Sequence, residues 1–214
     1  MARASKTQPQ KAGGAPPAFA LLATAFAGVL VLVAGVLIGI SFRDQSHGVA
    51  GNPLAGAFGG KFSLVDQNAK PFTDADLKGK WTLVFFGYTH CPDVCPTALN
   101  DLSLALDQLG DKKKDVGIVF ISVDPERDTP AVLKSYVESF DAPIEGLTGT
   151  PEQVAEAAKD YKVYYAKHPL PGGGYDMDHS ALIYIMDPQG RFTATFTPQD
   201  TSDTMAARLK KLVG

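Results

Sequence analysis

The chain opens on one long apolar run and then breaks into short apolar stretches separated by turn-forming residues. From Ala18 to Ile40 there is no charged residue, and Leu21, Leu22, Phe26, residues 29–33 and residues 36–38 make the stretch strongly apolar. A bilayer is spanned by about 20 apolar residues in a helix, so residues 18–41 are read as a single N-terminal transmembrane helix. Arg3, Lys6 and Lys11 precede it with no acid, whereas Arg43 and Asp44 follow it, and positive-inside bias makes residues 1–17 a cytoplasmic basic arm. A cleaved signal peptide carries a shorter apolar region, about 7 to 15 residues. The arm is too short for an amphipathic presequence followed by a spacer. The expectation is therefore a single-pass protein of a bacterial inner membrane, with its C-terminal domain in the periplasm. Residues 42–60, rich in Gly, Ala, Asn and Ser without periodicity, read as a flexible tether.

Residues 61–214 alternate between the periods of strands and helices. Lys61 to Val65 and Pro71 to Phe72 flank the polar turn of residues 66–70, which predicts a hairpin. Trp81 to Tyr88 and Val116 to Val123 are nearly continuous apolar runs, the mark of strands buried on both faces. Between them Leu99, Leu102, Leu106 and Leu109 recur at steps of three and four, a helical stripe stopped at Gly110. Thr129-Pro130 opens a helix with Val132, Leu133, Tyr136, Val137 and Phe140 on one face. Thr150-Pro151-Glu152-Gln153 carries an N-cap, a first-turn proline and a capping-box glutamine for a helix to about Asp160. Ala181 to Met186 and Arg191 to Phe196 flank the turn Asp187-Pro188-Gln189-Gly190, and Thr201 or Ser202 caps a last helix with Met205, Leu209 and Leu212 inward. Strand, helix, strand, helix, hairpin and helix describe an α/β, thioredoxin-like mixed sheet with flanking helices.

Composition removes some functions. A net charge of −3 on 214 residues leaves no basic face for nucleic acid, and Lys112 to Lys114 lie between Asp111 and Asp115 as a solvated turn. A chain 45% hydrophobic builds its core without disulfide staples, so its 2 cysteines are available for chemistry.

Those cysteines stand in Cys91-Pro92-Asp93-Val94-Cys95-Pro96, between a buried strand and a helix. Three intervening residues are one more than the redox motif Cys-x-x-Cys. The prolines bias the residues before them away from helix, so the helix is expected to start near Cys95 or Pro96, where its positive end favours thiolate. A compact loop brings the two sulfurs within reach of a disulfide or of one metal ion. The nitrogen donors to hand are His47, His90, His168 and His179. His47 falls in the tether and His168 in a Pro- and Gly-rich loop, and His90 points away from Cys91 if the strand continues. His179 leads into the strand from Ala181 and can face the cysteines. Two thiolates and an imidazole suit copper, and with an open fourth position also zinc. Asp178 can fix the tautomer of His179, Asp93 fits a turn, and Asp124-Pro125 and Asp128-Thr129-Pro130 fit a turn and a helix cap. Phe85, Phe86 and Tyr88 read as core or pocket wall.

The run Cys91-Pro92-Asp93-Val94-Cys95-Pro96, the segment from Ser122 to Pro130 and Asp178-His179-Ser180 together resemble the Sco/SenC family. The resemblance implies a membrane-tethered, thioredoxin-like copper chaperone for the binuclear copper centre of cytochrome c oxidase subunit II, loaded by an upstream copper donor protein. It implies Cys91, Cys95 and His179 as the copper ligands, Cu(I) or Cu(II), and residues 61–214 as the copper-binding domain. The competing expectation is a thiol-disulfide oxidoreductase in which Cys91 and Cys95 form the redox-active pair and keep the target's cysteines reduced. The run Pro171-Gly172-Gly173-Gly174 is expected to make a mobile loop, from which His179 can join or leave the metal.

Overall fold

The computed structural model describes residues 56–214. The expected anchor, basic arm and most of the tether lie outside the described residues; among the described residues no helix is long and apolar enough to cross a membrane.

The predicted opening hairpin is β1 (Ser63–Asp66) and β2 (Pro71–Thr73), paired antiparallel. Asp66 organises its turn, its Oδ1 accepting from the N–H groups of Asn68 and Lys70, both at 2.8 Å. The two apolar runs are β3 (Trp81–Gly87) and β4 (Val116–Ser122), which pair in parallel along their whole length. With β5 (Ile144–Thr148), β8 (Ile183–Met186) and β9 (Phe192–Phe196) they build a seven-stranded mixed sheet in the order β2-β1-β5-β4-β3-β8-β9. Leu83, Val84, Phe85 and Phe86 of β3 and Phe120 and Ile121 of β4 are completely buried, which explains why these strands lack the alternation of a half-exposed one.

Four α-helices flank the sheet among the described residues: α1 (Val94–Asp107), α2 (Pro130–Val137), α3 (Pro151–Asp160) and α4 (Ser202–Leu212). Leu99, Leu102, Leu106 and Leu109 are all buried, as the stripe requires. Thr129, Thr150 and Thr201 cap their helices through the side chain, and Thr150 with Gln153 completes the capping box. In α2 the packed stripe is narrower than expected: Leu133 and Val137 are buried, but Val132 lies at its edge and is exposed. The turn at residues 187–190 closes as predicted, with Gly190 N–H donating to the Asp187 carbonyl at 2.8 Å and Gly190 at φ +78°.

Three further elements depart from the sequence reading. Lys112 to Lys114 fall in a 3-10 helix (Gly110–Asp115) rather than a plain turn, exposed as expected. The short strand β5 carries Glu145 and Gly146 inside it, which hides its apolar signal. Residues 171–174, read as a loop, form the tip of a hairpin, β6 (Tyr165–Pro169) and β7 (Tyr175–His179), which makes a separate two-stranded sheet. Its tip is closed by Leu170 N–H to the Gly174 carbonyl and Gly173 N–H to the Leu170 carbonyl, at 3.1 and 3.2 Å. Gly172, Gly173 and Gly174 all have positive φ, +97°, +102° and +78°, so the run is a turn chemistry rather than a spacer. His179 is thus the last residue of β7, and β8 begins only at Ile183.

Candidate metal centre

The cysteine loop springs from the C-terminal end of β3, an interior strand of the sheet. Cys91 N–H donates to the Tyr88 carbonyl at 3.2 Å, which turns the chain back on itself directly after the strand. Asp93 is the N-cap, and α1 starts at Val94, slightly earlier than the prolines suggested. Pro96 then occupies the first turn, where a missing N–H removes no helical bond. Cys95 N–H is one of the orphan donors of that turn, and the Cys91 sulfur accepts it at 3.4 Å. The first cysteine therefore caps the helix that carries the second.

Cys95 is fully buried, and its sulfur lies against the backbone of β3. A Cβ at Gly87 would stand 2.6 Å from Cys95 Sγ and 2.7 Å from the Phe120 ring, so only glycine leaves room for the sulfur at this point. Cys91 is half-buried and reaches solvent. From the other side β7 delivers His179, whose Nε2 lies 3.4 Å from Cys95 Sγ. Its Nδ1 faces the Ser180 carbonyl at 3.2 Å. A carbonyl can only accept, so Nδ1 carries the proton and the Nε2 lone pair points into the cluster. Phe85 and Tyr88 hold the imidazole edge-on, with centroids at 6.0 and 5.8 Å.

The donor atoms of Cys91, Cys95 and His179 all lie within 4.8 Å of one another, the one such group among the described residues. The other histidines stay apart. His90 is exposed beside Asp128, and His168 of β6 pairs with Asp178 at 2.7 Å. His47 lies outside the described residues. Asp178, a candidate to orient the His179 ring, turns to His168, as neighbours on a strand facing opposite ways would; the Ser180 carbonyl orients the imidazole.

The two sulfurs differ sharply in acidity. The Cys95 S–H donates to Cys91, and with the N–H groups of Asp93 and Cys95 this brings the Cys91 thiol down to about 4. Donation to the Cys91 thiolate, together with burial, pushes Cys95 far up. The pair holds one proton between two sulfurs. One anionic and one neutral sulfur beside an imidazole form a soft donor set that can bind copper.

Around the donors runs a polar frame that sequence reasoning had explained as a turn and a cap. Asp128 is completely buried and accepts from Ser122 Oγ at 2.6 Å, Thr89 Oγ1 at 2.6 Å and Thr89 N–H at 3.0 Å. It thereby locks the β4–α2 connection to the segment leading into Cys91. Asp124, also buried, accepts from Tyr175 Oη at 2.7 Å and binds the Arg127 guanidinium. Arg127 lies 3.9 Å from the Tyr175 ring centroid and donates to the Tyr175 carbonyl at 3.0 Å. Tyr88 donates to Asp176 of β7. The segment Ser122 to Pro130 was legible as a motif; its function as the clamp for the histidine hairpin had no local signal.

Comparison with known proteins agrees with this arrangement. The family model described as SCO1/SenC matches residues 51–214. Protein SCO2 of Saccharomyces cerevisiae mitochondria is 47% identical over 139 residues, covering 64% of this chain and 46% of that protein, so the chain spans about half its length. The copper-bound structure of Bradyrhizobium japonicum ScoI is 53% identical, covers 72% of this chain and 99% of that one, and superposes with a TM-score of 0.68. BsSco, described as a member of the Sco family of cytochrome c oxidase assembly proteins in which a disulfide switch was identified, is 25% identical over 76% of this chain and 96% of its own, with a TM-score of 0.57. The chain belongs to the SCO1/SenC family.

Proposed function

We propose that this chain is a membrane-anchored copper metallochaperone that loads the binuclear copper centre of cytochrome c oxidase subunit II. Cys91 and Cys95 supply the thiolates and His179 the nitrogen. The observation that carries this reading is the convergence of three soft or borderline donors from two separate elements, α1 with its preceding loop and β7, onto one point at the end of β3. Copper is cargo here. A ligand set with a deeply buried sulfur on one side and an accessible sulfur on the other lets an incoming thiolate attack from the Cys91 side, so that copper passes through intermediates sharing both proteins' ligands. An upstream copper donor protein and the oxidase subunit meet the same open face in turn. Residues 18–41 hold the domain at a bacterial inner membrane, with the arm 1–17 cytoplasmic, residues 42–60 as tether and residues 61–214 on the periplasmic side.

A second reading has its own support. Cys91 is an accessible thiolate and Cys95 a buried thiol beside it, the asymmetry of a nucleophile and a resolving cysteine. In that role Cys91 attacks a disulfide of the target, Cys95 resolves the mixed disulfide, and two electrons and two protons pass to the target while this chain becomes oxidised. The BsSco disulfide switch belongs to the same kind of chemistry.

The test measures copper stoichiometry, thiol-disulfide exchange and oxidase assembly for the full chain and for His179→Ala. Loss of copper and of assembly with exchange intact supports delivery. Assembly that survives without copper binding makes the chain a reductase.

A further inference from the structure

We propose that Tyr88 and Asp176 are positioning residues for His179, a paired hydroxyl and carboxylate that hold the nitrogen donor in register with the two sulfurs. The inference rests on Cys91, Cys95 and His179 being the copper ligands. Tyr88 is the first residue after β3 and is 2% exposed. It touches both ligand-bearing segments through different atoms. Its carbonyl accepts from Cys91 N–H at 3.2 Å, its ring packs edge-on to His179 at 86°, and its hydroxyl donates to Asp176, three residues before His179 in β7. A buried phenol needs a partner, since leaving a polar group unpaired away from water is costly. Asp176 supplies it, and its Oδ1 also takes the Met177 N–H at 3.0 Å, which fixes the carboxylate on its own strand.

The need for such a tie follows from topology. The sheet β6-β7 makes no ladder with the seven-stranded sheet, so no backbone bonds set the height of His179 over the cysteines from that side. Side chains must do it. Arg127 and Asp124 grip Tyr175 at the far end of β7, and Tyr88 grips Asp176 close to it. Of these contacts only Tyr88 also meets the imidazole and the Cys91 backbone.

The experiment uses the purified full chain with Tyr88→Phe, Asp176→Ala and Asp176→Asn, each alone and with His179→Ala. Cu(I) and Cu(II) affinities are measured by chelator competition, and nitrogen coupling to Cu(II) by electron paramagnetic resonance on histidine-labelled protein. Tyr88→Phe keeps the ring and the carbonyl and removes only the hydroxyl. It is expected to weaken Cu(II) about tenfold and to broaden the histidine coupling, with a smaller change for Cu(I), which two thiolates hold. Asp176→Ala should match it, and Asp176→Asn, which retains an acceptor oxygen, should restore most of the affinity. Combined with His179→Ala, neither variant should cause a further loss, because their effect runs through that ring. Wild-type affinity and spectrum in Tyr88→Phe and Asp176→Ala, with His179→Ala impaired, would overturn the positioning role and leave the ligand assignment standing. An unchanged His179→Ala would overturn both. If Tyr88→Phe does not fold, the Asp176 pair decides alone.

Discussion

The cysteine loop and the histidine hairpin meet at one point but are attached to the molecule in opposite ways. The loop leaves β3, an interior strand paired on both sides, and enters a helix whose inner face is buried, with Cys95 pressed onto the backbone at Gly87. The hairpin stands outside the main sheet and most of its residues are half or fully exposed; Met177 is its one buried residue, Tyr165 and Tyr175 pack against the core, and the polar ties to the body run through Tyr88, Asp124 and Arg127. Polar ties to side chains open at lower cost than a packed core. Under the proposed delivery role, the difference teaches how a carrier can both retain and release copper: two donors are fixed by packing and the third also by polar contacts that can be traded.

The largest effect should come from striking the fixed half at its hub. Asp128→Ala removes the acceptor for Ser122 and for both donors of Thr89, leaving the Ser122 hydroxyl buried and the half-buried Thr89 without its partner. A loss of about 3 kcal/mol is expected, read as a lower denaturant midpoint at unchanged slope. A loss under about 1 kcal/mol would mean that the loop is not anchored there. Gly87→Ala should follow, because its new methyl overlaps Cys95 Sγ and the Phe120 ring, and neither belongs to a flexible chain end. Overpacking of this kind costs about 1–3 kcal/mol. Copper affinity should fall with it, since the sulfur must move off its seat. A variant with normal stability and normal copper binding would refute the tight seat.

The same contrast explains what the sequence disclosed. The fixed half was legible because hydrophobic burial leaves a pattern: the runs of β3 and β4, the leucine stripe of α1 and the threonine caps all announced themselves. The cysteines were legible as the 2 in the chain, and the tie between them and His179 came through a family motif. The hairpin β6-β7 was read as a loop because Lys167, His168 and Pro169 give no apolar alternation, and an exposed ribbon needs none. Asp124, Arg127 and Tyr175 were invisible as a unit, since they lie 51 residues apart in sequence at the extremes and meet only through the fold. Gly87 could have been suspected from a glycine ending an otherwise bulky strand, a usual sign of close backbone approach.

The next prediction sharpens the difference between the sulfurs. Cys91 has its acidity raised to about 4 from the ordinary thiol value of 9.0, so it is a thiolate at every pH above that and becomes a thiol as the pH falls through it. Cys95 is shifted the opposite way by the same shared proton. The stability gained by depressing Cys91 is complete above the unfolded thiol value and is lost as pH falls toward about 4, while the raised Cys95 works against it, so reactivity reports the pair better than stability does. In reduced, metal-free protein, iodoacetamide should modify Cys91 at a rate that stays level from about pH 8 to about pH 5 and drops below that, while Cys95 stays unmodified. A rate that instead climbs through the ordinary thiol range would remove the asymmetry on which the redox reading depends.

The smallest effect tests the hairpin's independence. Lys167 of β6 pairs with Glu126 at 2.6 Å and lies 3.8 Å from the Tyr175 ring centroid, joining the outer edge of the hairpin to the clamp segment. Both charged groups are substantially exposed, and such a pair contributes about 0.5 kcal/mol or less. Lys167→Ala should therefore leave the global unfolding midpoint where it is. Its effect should appear locally, as faster amide exchange along β6 and β7 with β3 and β4 unchanged, because a ribbon outside the main sheet can open without unfolding the core. A drop in global stability instead, with exchange rising uniformly, would make the hairpin part of the cooperative unit. His179 would then be held as rigidly as the cysteines, and the division into a fixed and a tradable donor would fail.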